Sequence, residues 1–79
     1  MTPELMRKRI SDNIKKFRLL KKMSKKMVAE RIKMNYSTYC RIENNKIKNP
    51  KLYQIILIAE SLGENFDELF IEQKMLIKH

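Results

Sequence analysis

Between Ser24 and Pro50 the chain reads SKKMVAERIKMNYSTYCRIENNKIKNP, and this stretch restricts the fold more than any other. Ser24 is a natural N-cap for a helix over about 25–32, with Val28, Ala29 and Ile32 on its inner face. Lys33-Met34-Asn35 reads as a turn. Asn35 then caps a second helix over about 36–44, with Tyr39 and Ile42 facing inward, and Asn44-Asn45 is a stop because asparagine tolerates a left-handed helix end. Isolated helices of under about 12 residues are marginal in water. Neither helix can stand alone, so the flanking chain must clamp the pair.

The flanks read as helices too. Thr2-Pro3-Glu4 combines a capping hydroxyl, a proline at the first helical position and an early acid. Met6, Ile10, Ile14 and Phe17 follow at steps of four, four and three, one apolar stripe on a helix expected to end near Lys22. Ser11-Asp12-Asn13 is a competing cap site, which predicts fraying of the first turns. After a basic loop, Lys46-Ile47-Lys48, the pair Asn49-Pro50 repeats the start signal. A fourth helix is expected over about 51–62, with Leu52, Ile55, Ile56, Ala59 and Leu62 inward and Leu57 and Ile58 widening the apolar face. Gly63 closes it. Asn65-Phe66-Asp67-Glu68 resembles a capping box for a fifth helix over about 66–77, carrying Phe66, Leu69 and Phe70 and then Met75, Leu76 and Ile77. With one Gly, two Pro and little alternation, the expectation is an all-α, compact five-helix fold, a single domain over 1–79.

Charge is placed unevenly. The formal net charge is +9. Residues 1–34 hold twelve Lys/Arg against three Asp/Glu, residues 35–51 four against one, and residues 52–79 two against five. A basic front and an acidic back point to a polyanionic partner, nucleic acid or an anionic surface. No apolar run approaches the roughly 20 residues of a membrane span. The single cysteine, Cys40, forms no internal disulfide and fits a reducing cytoplasm. His79 is the lone histidine and there is one glycine, so no His-based metal site, acid–base pair or Gly-rich phosphate loop can be assembled. No cofactor is expected, and an enzyme is the least supported class.

Taken in order, Phe17-Arg18, Val28-Ala29-Glu30, Ser37-Thr38, Arg41-Ile42-Glu43, Asn49-Pro50, Leu62-Gly63 and Asp67-Glu68-Leu69-Phe70 resemble the lambda-repressor/Cro-like helix-turn-helix family, also called the XRE family, of bacterial and phage regulators. The likeness covers about Ile14 to Phe70. It implies a sequence-specific regulator of double-stranded DNA, a homodimer on a roughly palindromic operator, with the helix at about 36–44 in the major groove. Tyr36, Ser37 and Arg41 then become base-reading candidates. Lys25, Thr38, Asn44, Lys46, Lys48 and Lys51 become candidates for the DNA backbone. Arg18 and Glu43 resemble a buried ion pair that ties the first helix to the end of the third. Several positions depart from common family choices: Lys25 stands where glutamine is frequent at the phosphate clamp, Lys33 at the turn glycine, Tyr36 at the first reading position and Asn45 at the loop glycine.

Excess apolar residues place a dimer interface at Leu57, Phe70, Leu76 and Ile77. The implied roles are a small phage-type repressor or a restriction–modification controller protein, with RNA polymerase or a toxin as further partners. Two rival readings stay open. One is an antitoxin-like protein-interaction module that also binds its operon DNA. The other is a sequence-neutral nucleic-acid binder. Bland readings stand beside the sharp ones: Arg41 as a solvated arginine, Tyr36 as a packing residue, and the run Arg7-Lys8-Arg9 as either a solvated face or an arm on the DNA backbone.

Overall fold

The computed structural model describes residues 2–71. Four α-helices follow in order: α1 over Pro3–Leu20, α2 over Lys25–Arg31, α3 over Tyr36–Glu43 and α4 over Leu52–Ser61. A 3-10 segment at Phe66–Phe70 closes the described chain, and no strand is present among these residues.

Helix starts follow local chemistry. The side-chain oxygens of Thr2, Ser24 and Asn35 accept from the amides of Leu5, Met27 and Thr38 at 3.1, 3.1 and 3.2 Å. Each satisfies one of the orphan N–H groups that open a helix. α4 begins differently from the expected Asn49-Pro50 start. Lys51 is its N-cap, and the Gln54 side-chain oxygen reaches back to accept the Lys51 amide at 3.1 Å.

Helix ends share one device. The backbone after α1 turns left-handed at Lys22, after α2 at Lys33, after α3 at Asn45 and after α4 at Gly63, with φ of 57, 55, 58 and 73°. In each case the next amide donates five residues back: Met23 to Arg18, Met34 to Ala29, Lys46 to Arg41 and Glu64 to Ala59, all at 2.8–3.1 Å. These paired reversals use up carbonyls that a helix end leaves open. Only one of the four positions is glycine. At Lys22 and Lys33 an L side chain sits in a conformation that costs roughly 1–2 kcal/mol, and that cost is offset by the packing of the helices on either side. The positive φ at Lys33 and Asn45 falls where the family glycines were expected. The reversal at Lys22 was not anticipated, and it ends α1 two residues earlier than the stripe suggested.

The core draws on every element. Ile14, Val28, Tyr39, Ile58, Leu62 and Leu69 are the largest fully buried side chains, joined by Phe17, Ala29, Ile42, Ile55 and Ala59. Full burial of an aliphatic side chain of this size is worth about 1.5–3 kcal/mol. Met6, placed on the inner stripe by its spacing, is 41% exposed, because the first turns of α1 project past the core.

Two further expectations are corrected. Ser11-Asp12-Asn13 does not interrupt α1, which is continuous through it. Ser11 and Asn13 are buried, and both side chains donate to distant carbonyls instead of capping. Ser11 Oγ reaches Ile42 O at 2.8 Å, and Asn13 Nδ2 reaches Leu69 O and Ile71 O at 2.7 and 2.8 Å. The fifth helix is a five-residue 3-10 segment within the described residues, and the rest of the expected 66–77 span lies outside them. The Asn65 side chain makes no cap. The carbonyls of Leu69, Phe70 and Ile71 accept from Asn13 and Arg9 on α1, and this docking favours a tight turn over a new α-helix.

Candidate nucleic-acid interface

α3 divides sharply by side. Tyr39, Ile42 and Glu43 are buried, while Ser37 and Arg41 are exposed and Tyr36 is 52% exposed. At 3.6 residues per turn, Tyr36 and Arg41 lie about 140° apart around the helix. The exposed arc therefore runs from Tyr36 through Cys40 and Ser37 to Arg41. Tyr36 lies beside half-buried Cys40 one turn on, and this neighbour pushes the Tyr36 phenol above its ordinary range.

The far end of α3 is anchored by charge. Arg18 Nε donates to Glu43 Oε1 at 2.7 Å and Arg18 Nη2 to Glu43 Oε2 at 3.2 Å, a two-point fork. Arg18 Nη1 donates to Met23 O at 2.9 Å, and the Tyr39 hydroxyl donates to Glu43 Oε1 at 2.9 Å. The Arg18 and Glu43 side chains are 8% and 0% exposed. Among the described residues no buried side-chain polar atom lacks a partner. Such complete satisfaction is what makes a buried ion pair tolerable. The hydrogen bond with Glu43 raises the Arg18 pKa further. Burial first, then the negative charge of Glu43, pushes the Tyr39 phenol far above its ordinary range.

Around this helix the other candidates take definite places. Lys25, half-buried in the first turn of α2, holds its Nζ 3.8 Å from Glu43 Oε2. Thr38 is half-buried beside the Asn35 cap and lines a cleft with Lys33, Tyr53 and Leu57. Asn44 is the exposed C-cap of α3, and Lys46, Lys48 and Lys51 are exposed along the segment leading to α4. Leu57 is 36% exposed on α4. Phe70 is half-buried against the core and meets Phe66 edge-on at 5.6 Å. Leu76 and Ile77 lie outside the described residues.

Sequence reasoning overlooked three side chains that hold this surface together: Ser11, Asn13 and Arg7. Arg7 Nη1 donates to Lys48 O at 3.2 Å, joining the start of α1 to the basic loop. Their residue types were visible, but their partners are 31, 56 and 41 positions away. No group of acidic, cysteine or histidine side chains among the described residues is arranged to hold a metal ion. No helix among them is long and apolar enough to cross a membrane.

Comparison with known proteins adds one finding. A family model described as helix-turn-helix matches residues 14–69, from the middle of α1 to the 3-10 segment. No curated protein and no solved structure matches the chain.

Proposed function

The chain belongs to the lambda-repressor/Cro-like helix-turn-helix family of DNA-binding transcription regulators, and on that premise we propose that it is a sequence-specific homodimeric regulator that lays α3 in the major groove of a roughly palindromic operator. The observation that carries this reading is the division of α3. One side is locked into the core by Tyr39, Ile42 and Glu43, and the other presents Tyr36, Ser37 and Arg41 to solvent. A helix held on one side and polar on the other is what groove insertion needs.

Arg41 is the principal reader in this scheme. Its fork matches guanine O6 and N7, a contact worth about 1–3 kcal/mol of discrimination. Ser37 accepts or donates to several base edges, and Tyr36 packs on a thymine methyl or meets phosphate. Lys25, Thr38, Asn44, Lys46, Lys48 and Lys51 hold the DNA backbone. Contacts of this type set affinity and register without carrying sequence. Two half-sites about one helical turn apart supply the specificity that one small domain lacks. The exposed apolar residue Leu57, together with Phe70 and the more C-terminal Leu76 and Ile77, supports pairing of two copies. A small phage-type repressor or a restriction–modification controller protein fits a chain of this kind.

In vitro selection of bound duplexes across a salt series tests the whole proposal. The expected result is an inverted repeat, with Arg41→Ala relaxing preference at one base position in each half. Random DNA competing as well as the selected sequence would refute specific readout. A chain that remains monomeric at tens of micromolar, with and without the selected duplex, would refute the dimer.

A further inference from the structure

We propose that the first turns of α1 carry a phosphate-binding strip, centred on Arg7 and continuous with Lys46, Lys48 and Lys51, that grips duplex DNA beyond the base pairs read by α3. The inference rests on the DNA-binding reading above and extends its footprint.

The family match begins at residue 14, whereas α1 begins at Pro3. The eleven residues from Pro3 to Asn13 lengthen the helix by about 16 Å at 1.5 Å per residue. They contain the run Arg7-Lys8-Arg9, and the structure separates its three cations. Lys8 Nζ pairs with Asp12 at 3.0 Å on the exposed side of α1. Arg9 Nη1 donates to Phe70 O at 3.3 Å, toward the 3-10 segment. Arg7 alone turns to the loop after α3, donating to Lys48 O.

Two ties fix this strip in register with α3. Ser11 Oγ donates to Ile42 O in the last turn of α3, and one turn earlier along α1 Arg7 holds the carbonyl of Lys48. The strip is therefore attached to the recognition surface and does not hang free. Arg7 has five N–H donors, of which the loop carbonyl engages one. The remainder of the fork suits phosphate oxygens. Among the described residues Lys46, Lys48 and Lys51 form no ion pair. Glu4 is the one acid that lines the groove shared by Arg7 and Lys48, so two cations face one carboxylate there, and Lys46 and Lys51 are exposed on either side of Lys48 in sequence. The chemistry that answers such a strip is a line of phosphates continuing past the half-site.

Arg7→Gln tests this, because glutamine keeps an N–H for the Lys48 carbonyl and removes the charge. Binding of the full chain to the selected duplex is measured from 50 to 200 mM salt. Loss of one phosphate contact lowers the magnitude of the slope of log K against log salt by about 0.9, so the deficit of the variant shrinks roughly threefold across that range. Base preference stays the same, Arg7→Lys restores the slope, and Arg9→Gln leaves it unchanged. On a duplex cut back to the base pairs read by α3, wild type falls to the level of Arg7→Gln. An unchanged slope for Arg7→Gln, with selective binding retained and an unaltered melting curve, overturns the strip. So does an equal slope change in Arg9→Gln, which marks a general charge effect. Absence of selective binding by the wild-type chain overturns the DNA reading itself and is distinguishable from either result.

Discussion

Glu43→Ala removes the acceptor for three donors at once: Arg18 Nε at 2.7 Å, Arg18 Nη2 at 3.2 Å and the Tyr39 hydroxyl at 2.9 Å. Arg18, only 7% exposed, keeps a single partner, the carbonyl of Met23. Breaking a buried pair by deleting one partner costs about 3–5 kcal/mol, because it strands the other charge. A domain of this size has roughly 4–12 kcal/mol in total at 0.05–0.15 kcal/mol per residue. The variant thus loses a quarter or more of its stability, a fall in melting temperature on the order of 12–40 °C. Urea unfolding followed by circular dichroism measures this directly. The control is Arg18→Met combined with Glu43→Ala. Removing both charges relieves the stranded arginine, so the double variant is more stable than the sum of the single losses by at least about 2 kcal/mol. Lys25 lies 3.8 Å from the same carboxylate but is 34% exposed, so Lys25→Met costs under about 1 kcal/mol. A loss below about 0.5 kcal/mol for Glu43→Ala, or additivity in the double variant, would sink the argument that this pair anchors α3.

Three other outcomes follow from the same structure. Lys22→Gly and Lys33→Gly each stabilise the chain by about 0.5–1 kcal/mol in chemical denaturation, since glycine adopts the left-handed backbone without the side-chain penalty. Asn13→Ala leaves the carbonyls of Leu69 and Ile71 without their donor and costs about 1–3 kcal/mol; a neutral effect in urea titration would remove the case that α1 docks the 3-10 segment. The raised Tyr39 phenol makes stability alkali-sensitive. Its contribution is complete below the ordinary tyrosine value of about 10 and falls as pH rises beyond it, by at most about 1.4 kcal/mol per unit, because the unfolded chain releases that proton first. Tyr39→Phe flattens this decline in a pH series of unfolding curves.

The legible parts of the fold were those written in neighbouring residues. Thr2, Ser24 and Asn35 cap helices because each bond spans three positions, and the inward sides of α2 and α3 follow from apolar spacing, whereas on α4 Leu52, expected inward, is 61% exposed at the first turn and Ile58, expected only to widen the apolar face, is fully buried. The pairing of Arg18 with Glu43 came from the resemblance, since no local rule links positions 25 apart. Ser11 and Asn13 were misread for a related reason. Serine and asparagine cap helices and also bond remote carbonyls, and only the packed structure chooses between these uses. Lys22 carried no mark of its left-handed backbone, because lysine is neutral in every turn vocabulary. The 3-10 segment escaped because its form depends on carbonyls captured by α1, and sequence periodicity does not record that.

The unequal ties at the two ends of α3 make it a cantilever. Its fixed end is Glu43, with Arg18, Tyr39 and the Ser11 bond to Ile42 as the mounting. Its other end is Tyr36, about 10 Å away along the axis, where the ties are the lighter ones of the Asn35 cap and the turn from α2. A tilt of roughly 5° leaves Arg41 nearly still and swings Tyr36 by ~1 Å, enough to spoil a hydrogen bond. Under the proposed reading of DNA by α3, stringency falls along the helix from Arg41 toward Tyr36. On that proposed reading, a duplex that fits the mounting end poorly is rejected outright, whereas a mismatch at the tip is absorbed by a small change of pitch.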